Sequence, residues 1–297
     1  MNIDRSKYVG VVGLGIMGGA ISQNLVKSGF TVFGFDIALN QLKKAEAYGV
    51  KIVKSIDEIS QKADYILTSL PTVEALDFFS QQIIQSNSIK DRKILVAELS
   101  TFPITSKQES YNILLRNNIV MLDCPLSGTG AQALDRDLAI YASGDEEGYN
   151  NFLDIFKGFS RVQYFLGEYG NGTKMKLIAN LLVHVHNVVA AEAISLGLKG
   201  GLDPHTICDI IGSGAGSSRM FEMRAPMMVK GKYKPATMKI DIWKKDMELI
   251  SNFIDNHDLI SPTFEAAKDI YSKALEEGLG SEDTAAVYEI VKKLKNN

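Results

Sequence analysis

Apolar residues along this chain fall into two regimes. From Tyr8 to about Leu166, short runs rich in Val, Ile and Leu alternate with stretches whose apolar positions recur every three or four residues. The runs Tyr8–Gly13, Thr31–Asp36, Asp64–Leu70, Lys93–Glu98 and Ile119–Asp123 predict strands, and Leu138–Ser143 and Val162–Phe165 predict two weaker ones. Helical patterns such as Gly18–Ser28 and Val73–Ile84 lie between them. Near-continuous apolar strands separated by helices predict βαβ units around a buried parallel sheet.

The pattern changes after about Leu166. Gly170-Asn171-Gly172 is a turn signal, and a helical pattern then runs from Thr173 to Lys199 and ends at Gly200-Gly201. Further helices are expected after Pro204, Ser217, Ala236, Ser261 and Ser281. The expected organisation is an α/β domain over residues 1–166 and an all-α domain over 167–297, joined by the long helix. That helix exceeds the ordinary globular length, so it is expected to be a spine between domains or subunits. His184, His186, Asn187 and Glu192 interrupt it, which reads as too polar to span a membrane as a lone segment.

Gly13-Leu14-Gly15-Ile16-Met17-Gly18 follows an apolar run and opens a helix. In that setting the first glycine permits a tight turn and the second lets backbone approach a pyrophosphate. The third lets helix pack on strand, and the phosphates sit at the positive helix N-terminus. Asp36 ends the next strand, where a carboxylate accepts hydrogen bonds from ribose hydroxyls and repels a 2′-phosphate. No Arg follows in Ile37-Ala38-Leu39-Asn40. The expectation is a Rossmann domain binding NAD rather than NADP. A plain glycine turn and a solvated Asp36 are the bland alternatives.

Composition narrows the partners. The net charge is −3 with Lys and Arg scattered, which argues against nucleic acid or an anionic membrane as the main partner. Cys124 and Cys208 are the two cysteines and have no CxxC or metal spacing. A reduced, cytoplasmic setting is the simplest expectation. Residues 1–8 show no basic region leading into an apolar stretch, so no signal peptide is expected. Four scattered histidines offer no ligand spacing, and no metal is expected.

Four signatures, taken in order, resemble the β-hydroxyacid dehydrogenases, the group holding 3-hydroxyisobutyrate, tartronate semialdehyde and threonate dehydrogenases. They are Gly13–Gly18 with Met17 inside it; Asp123-Cys124-Pro125-Leu126-Ser127-Gly128-Thr129; Gly170-Asn171-Gly172 with Lys176 and Asn180; and Lys245-Asp246-Met247. The resemblance covers nearly the whole chain. It implies hydride transfer between a small hydroxy acid and NAD, with Lys176 as acid–base group. A lysine ordinarily titrates near ~10.4, so burial, its helix N-terminus and the nicotinamide cation would have to lower it.

Asn180 lies one turn further along the same helix face, where its amide could meet the substrate hydroxyl or orient the lysine. The resemblance makes Ser127, Gly128 and Thr129 the loop that holds the substrate carboxylate, a nest of backbone N–H groups plus a hydroxyl. Two departures fall here: Thr129 stands where glycine is usual, and Arg136 where another glycine is usual. Leu70, Pro71 and Thr101, beside Ser100, match loops on the nicotinamide side, and Lys245 matches a lysine approaching the cofactor. His184 and His186 read as packed or interface histidines.

Ser217-Ser218-Arg219-Met220-Phe221-Glu222-Met223-Arg224 looks more like the threonate than the hydroxyisobutyrate branch. There, Ser217, Arg219 and Glu222 would serve a polyhydroxylated acid, or else the segment is an ion-pair network. An imine reductase and a non-catalytic dinucleotide sensor are the rival readings; Lys176 argues against the first, and Ser127, Lys176 and Asn180 together argue against the second. The long apolar helix favours a homodimer or homotetramer.

Overall fold

In the computed structural model, residues 7–89 and 92–294 are described, so most of the N-terminal stretch read for a signal peptide lies outside them. The apolar runs form strands β1 (Tyr8–Val12), β2 (Thr31–Phe35), β3 (Lys51–Ile52), β4 (Tyr65–Thr68), β5 (Ile94–Glu98) and β6 (Ile119–Asp123). They pair in parallel in the order β3-β2-β1-β4-β5-β6. The helices between them are α1 (Ile16–Lys27), α2 (Leu39–Ala47), α3 (Ile56–Lys62), α4 (Val73–Ile84) and α5 (Ile104–Leu115).

Alternation along each strand feeds two cores, because successive side chains point to opposite faces of the sheet. Val9, Val11, Leu67, Leu95 and Ala97 join one apolar cluster, and Val12, Ile66, Ile94 and Val96 join the other. Both faces are therefore covered, as the apolar runs predicted. The chain reverses between β1 and β4 at the centre of the sheet, which leaves a crevice at the C-terminal strand ends for a ligand.

A second sheet follows. Strands β7 (Leu126–Ser127), β8 (Ala139–Ala142) and β9 (Val162–Phe165) lie in that order, the first pair antiparallel and the second parallel. Helices α6 (Gly130–Leu134) and α7 (Glu146–Phe159) accompany them. The sequence reading missed β3 and β7, since a two-residue strand carries no alternation to read.

The remaining helices are α8 (Asn171–Lys199), α9 (Pro204–Ser213), α10 (Arg219–Lys230), α11 (Ile240–Asp255), α12 (Pro262–Glu276) and α13 (Val287–Val291). Two compact units result, residues 1–176 and 177–297, so the first turns of α8 belong with the α/β unit although the sequence pattern changes near 166. In the helical unit Val188, Ala191 and Ile194 of α8 pack with Phe221, Met247, Ile250, Phe264 and Tyr271. The helix expected after Ala236 starts only at Ile240, because the amides of Thr237 and Met238 are bonded to the Asp283 carboxylate.

One expectation about α8 does not hold. By length and composition it is apolar enough to cross a bilayer, with a mean hydropathy of 1.5 over its most apolar window. The many Leu, Val, Ile and Ala residues outweigh its histidines and asparagines. Two of those polar groups are tied into the helical unit, where Asn187 Nδ2 donates to Tyr271 Oη and Asn180 Nδ2 to Asp246.

Candidate active site

The glycine-rich turn joins β1 to α1, and each glycine has its own reason. Gly13 has φ +88°, and a Cβ there would lie 2.1 Å from Ser69 O. A Cβ on Gly18 would lie 1.9 Å from Gly13 O, so helix and turn touch backbone to backbone. At Gly15 a Cβ would meet nothing within 4 Å, so that residue faces open space, as a diphosphate approaching the backbone requires. Gly15 is also the N-cap of α1, with no side chain capping the helix and no acid in its first turn. The N-terminal amides and the helix dipole are thus disposed toward an anion.

Asp36 ties this turn to its neighbour. One carboxylate oxygen accepts from Leu14 N and the other from Ala38 N, both at 2.7 Å. Each oxygen keeps a further lone-pair direction for a ligand hydroxyl. Beside it lies a cavity of about 500 Å³ lined by Gly13, Gly15, Ile16, Met17, Asp36, Leu70 and Pro71 among others. Gln41, Ile56, Ala75, Phe78 and Phe79 also line it and were not foreseen. The residues present fit a dinucleotide: an open glycine turn, a carboxylate at the strand end and a mostly apolar wall.

The loop after β6 is more occupied than its sequence suggests. Thr129 caps α6 in a capping box: Gln132 N donates to its hydroxyl, and Thr129 N donates to Gln132 Oε1 at 3.0 Å. The Thr129 amide is therefore committed within the loop, which leaves the Ser127 hydroxyl and the Gly128 amide as donors toward a carboxylate. Arg136, where glycine is usual in the family, takes φ +59°, and its Nη2 donates to Lys157 O at 2.7 Å. The turn thus keeps the left-handed conformation that glycine would supply more cheaply.

Beneath these loops lies a charged cluster that the sequence reading did not assign. Glu98 and Asp123 end β5 and β6 in register, and both are fully buried. Lys107 of α5 lies 2.5 Å from Glu98 Oε2 and 2.6 Å from Asp123 Oδ1, and also donates to Ser100 O. Burial works against its charge, but Asp123 and Glu98 outweigh burial and hold its pKa above the ordinary lysine value. Asp123 Oδ2 accepts from Thr173 N, and Oδ1 from Thr173 Oγ1, each at 2.7 Å. Gly172 N donates to Ser143 Oγ, and a Cβ on Gly172 would lie 2.2 Å from Tyr141 O. The first turn of α8 is thereby pressed onto the strand ends, with Lys176 three residues beyond Thr173 and half-buried. Thr101, also half-buried, follows Ser100, whose hydroxyl accepts from Leu70 N.

In the helical unit, Asn180 is buried and donates to Asp246 Oδ2 at 2.9 Å. The Lys-Asp-Met motif therefore contributes Asp246 as well as the exposed Lys245. His184 is buried among Trp243, Phe264 and Tyr271 and bonds through Nδ1 to Asn180 O. In the segment weighed for substrate contact, Ser217 Oγ donates to Glu222, Ser218 caps α10, and Arg224 is buried against Thr284 and Asp283.

Comparison with known proteins agrees with this geometry. Residues 8–167 match the NAD-binding domain of 6-phosphogluconate dehydrogenase, and residues 170–291 match the NAD-binding model of NADP-dependent 3-hydroxyisobutyrate dehydrogenase. The chain belongs to the β-hydroxyacid dehydrogenase family. Among its relatives is an L-threonate dehydrogenase of Cupriavidus necator, 33% identical over 290 residues and covering 96% of each chain. Another is the Arabidopsis thaliana glyoxylate/succinic semialdehyde reductase 1, 32% identical, covering 96% of this chain and 98% of the relative. A Mycobacterium tuberculosis 3-hydroxyisobutyrate dehydrogenase solved with L-serine superposes with TM-score 0.87 at 26% identity, covering 96% of this chain and 99% of that one. This β-hydroxyacid dehydrogenase is accordingly an oxidoreductase acting on hydroxy acids with a nicotinamide dinucleotide.

The missed cluster had one readable signal. Two acids, Glu98 and Asp123, each close an apolar strand run, and acids side by side on a buried sheet require a cation.

Proposed function

We propose that this dehydrogenase oxidises a small polyhydroxylated acid, with a four-carbon sugar acid such as threonate as substrate, NAD as the preferred cofactor and Lys176 as the acid–base group. The observation that carries the substrate is the 33% identity with an L-threonate dehydrogenase along 96% of both chains. The relative solved with L-serine, itself a carboxylate bearing a β-hydroxyl, supports the substrate class.

In this reading the Ser127 hydroxyl and the Gly128 amide hold the substrate carboxylate, while Lys176 takes the hydroxyl proton and Asn180 orients it. Bound NAD supplies the hydride acceptor. The glycine turn, Ile16, Met17, Leu70, Pro71 and Thr101 hold the dinucleotide, and the Lys-Asp-Met motif supports a cofactor role for Lys245. Asp36 favours NAD because its carboxylate lies at the ribose end and no arginine stands in Ile37–Gln41 to receive a 2′-phosphate. A cytoplasmic setting is supported by the two cysteines, which have no CxxC or metal spacing. A homodimer or homotetramer is supported by Ile178, Leu182, Val189 and Leu196, all exposed on α8.

The test compares kcat/KM for threonate and 3-hydroxyisobutyrate with each dinucleotide. Threonate is expected to be at least about tenfold better, since each buried polar group left unpaired costs about 1–3 kcal/mol. Equal or reversed values remove the substrate assignment, and a preference for NADP removes the role given to Asp36.

A further inference from the structure

We propose that the buried cluster of Glu98, Lys107 and Asp123 is a positioning device that fixes the first turn of α8 and so sets the place of Lys176. The proposal rests on Lys176 being the acid–base group. Asp123 grips Thr173 through both its amide and its hydroxyl, and Ser143 takes the Gly172 amide at 2.9 Å. Both acceptors sit at the ends of strands, the stiffest part of the α/β unit. Lys176 follows Thr173 by three residues, less than one helical turn, so any shift of that turn moves the lysine with it.

Helix capping alone does not need such a device. At α9 the same arrangement occurs in its cheapest form: exposed Asp203 accepts from Thr206 N at 2.8 Å and from Thr206 Oγ1 at 3.0 Å, with no buried cation. At α8 the capping carboxylate is fully buried and needs Lys107, which in turn needs Glu98. Burying three ionisable groups carries a desolvation cost that an apolar replacement would avoid. What the cluster adds is connection. Lys107 donates to Ser100 O, Glu98 accepts from Ser100 N, and the Ser100 hydroxyl accepts from Leu70 N at 2.8 Å. Leu70 lines the dinucleotide cavity. One buried network therefore touches the cofactor loop and the turn that carries the lysine.

The experiment removes the hydroxyl half of the grip and leaves the charges. Thr173→Val, Thr173→Ser, Ser143→Ala and Lys176→Ala are assayed with NAD and threonate, and with 3-hydroxyisobutyrate, for kcat, both KM values and Tm. Thr173→Val is expected to lower kcat at least about tenfold, because misplacing a reacting group by an ångström costs up to about a hundredfold. Both KM values should stay within about twofold, and Thr173→Ser should restore kcat. Should Thr173→Val not fold, Ser143→Ala is read by the same criteria. The proposal is overturned if kcat stays within about twofold of wild type, or if KM rises and Tm falls together without rescue by Thr173→Ser. Full turnover by Lys176→Ala would instead remove the acid–base reading, a separate result.

Discussion

Two buried charge clusters, one in each unit, use the same chemistry to different ends. In the helical unit Arg224 Nε lies 3.3 Å from Asp283 Oδ1 and donates to Thr284 Oγ1 at 2.7 Å. Asp283 also accepts from the amides of Thr237, Met238 and Ala285. Everything it holds lies in the segments leading into α11 and α13. In the α/β unit Lys107 and its two carboxylates hold the strand ends, the Leu70 loop and the first turn of α8. A buried ion pair is weak evidence for stability alone. What each cluster grips tells whether it serves the fold or the chemistry.

The largest effect should come from breaking the structural cluster. Arg224→Ala strands a buried carboxylate and is expected to cost about 3–5 kcal/mol. Denaturant melts should show this loss while kcat of the folded fraction stays at the wild-type value. A fall in kcat at full folding would erase the contrast between the two clusters.

Acid sharpens it. Burial pushes the Asp283 carboxyl up, but Arg224, the surrounding amides and the Thr237 hydroxyl outweigh burial and hold its pKa below the ordinary value of 3.8. A carboxyl lowered in the folded state contributes stability that is present above its unfolded pKa and lost as pH falls through the folded one. The stability that Asp283 contributes to the wild type should therefore be full near neutrality and be lost only below about pH 4. Wild-type urea midpoints across that range check it, and a midpoint that does not fall below about pH 4 would contradict the assignment.

The smallest effect is expected where neither cluster reaches. Arg136→Gly removes a left-handed arginine, which relieves roughly 1 kcal/mol, and loses one exposed hydrogen bond to Lys157 O. Tm should rise slightly or stay, with kcat unchanged; a lowered Tm would show that the side chain holds the loop.

Legibility in the sequence followed how local each cause was. Strands buried on both faces announced themselves as apolar runs, and the glycine turn with Asp36 lies within one βαβ unit. The strand pairs of β3 and β7, two residues each, have no pattern of their own. Asn180 finds Asp246 across 66 positions, and Lys107 finds Asp123 and Thr173 across 16 and 66. Such partners are set by tertiary packing, and only the paired acids at the ends of β5 and β6 hinted at one. Thr129 read as a departure from the usual glycine of the substrate loop, and it serves as a helix cap whose partner, Gln132, stands three residues on. The long helix read as too polar to span a membrane, yet its apolar residues outweigh its histidines and asparagines, so its composition alone does not distinguish a core helix from a spanning one.

The most direct test of the account is NADH formation by wild type and Lys176→Ala across a panel of small hydroxy acids, with NADH binding measured alongside. The account predicts turnover of at least one such acid by wild type, lowered about a hundredfold or more in the variant while NADH binding stays nearly intact. A variant keeping more than about half of the wild-type kcat would contradict it.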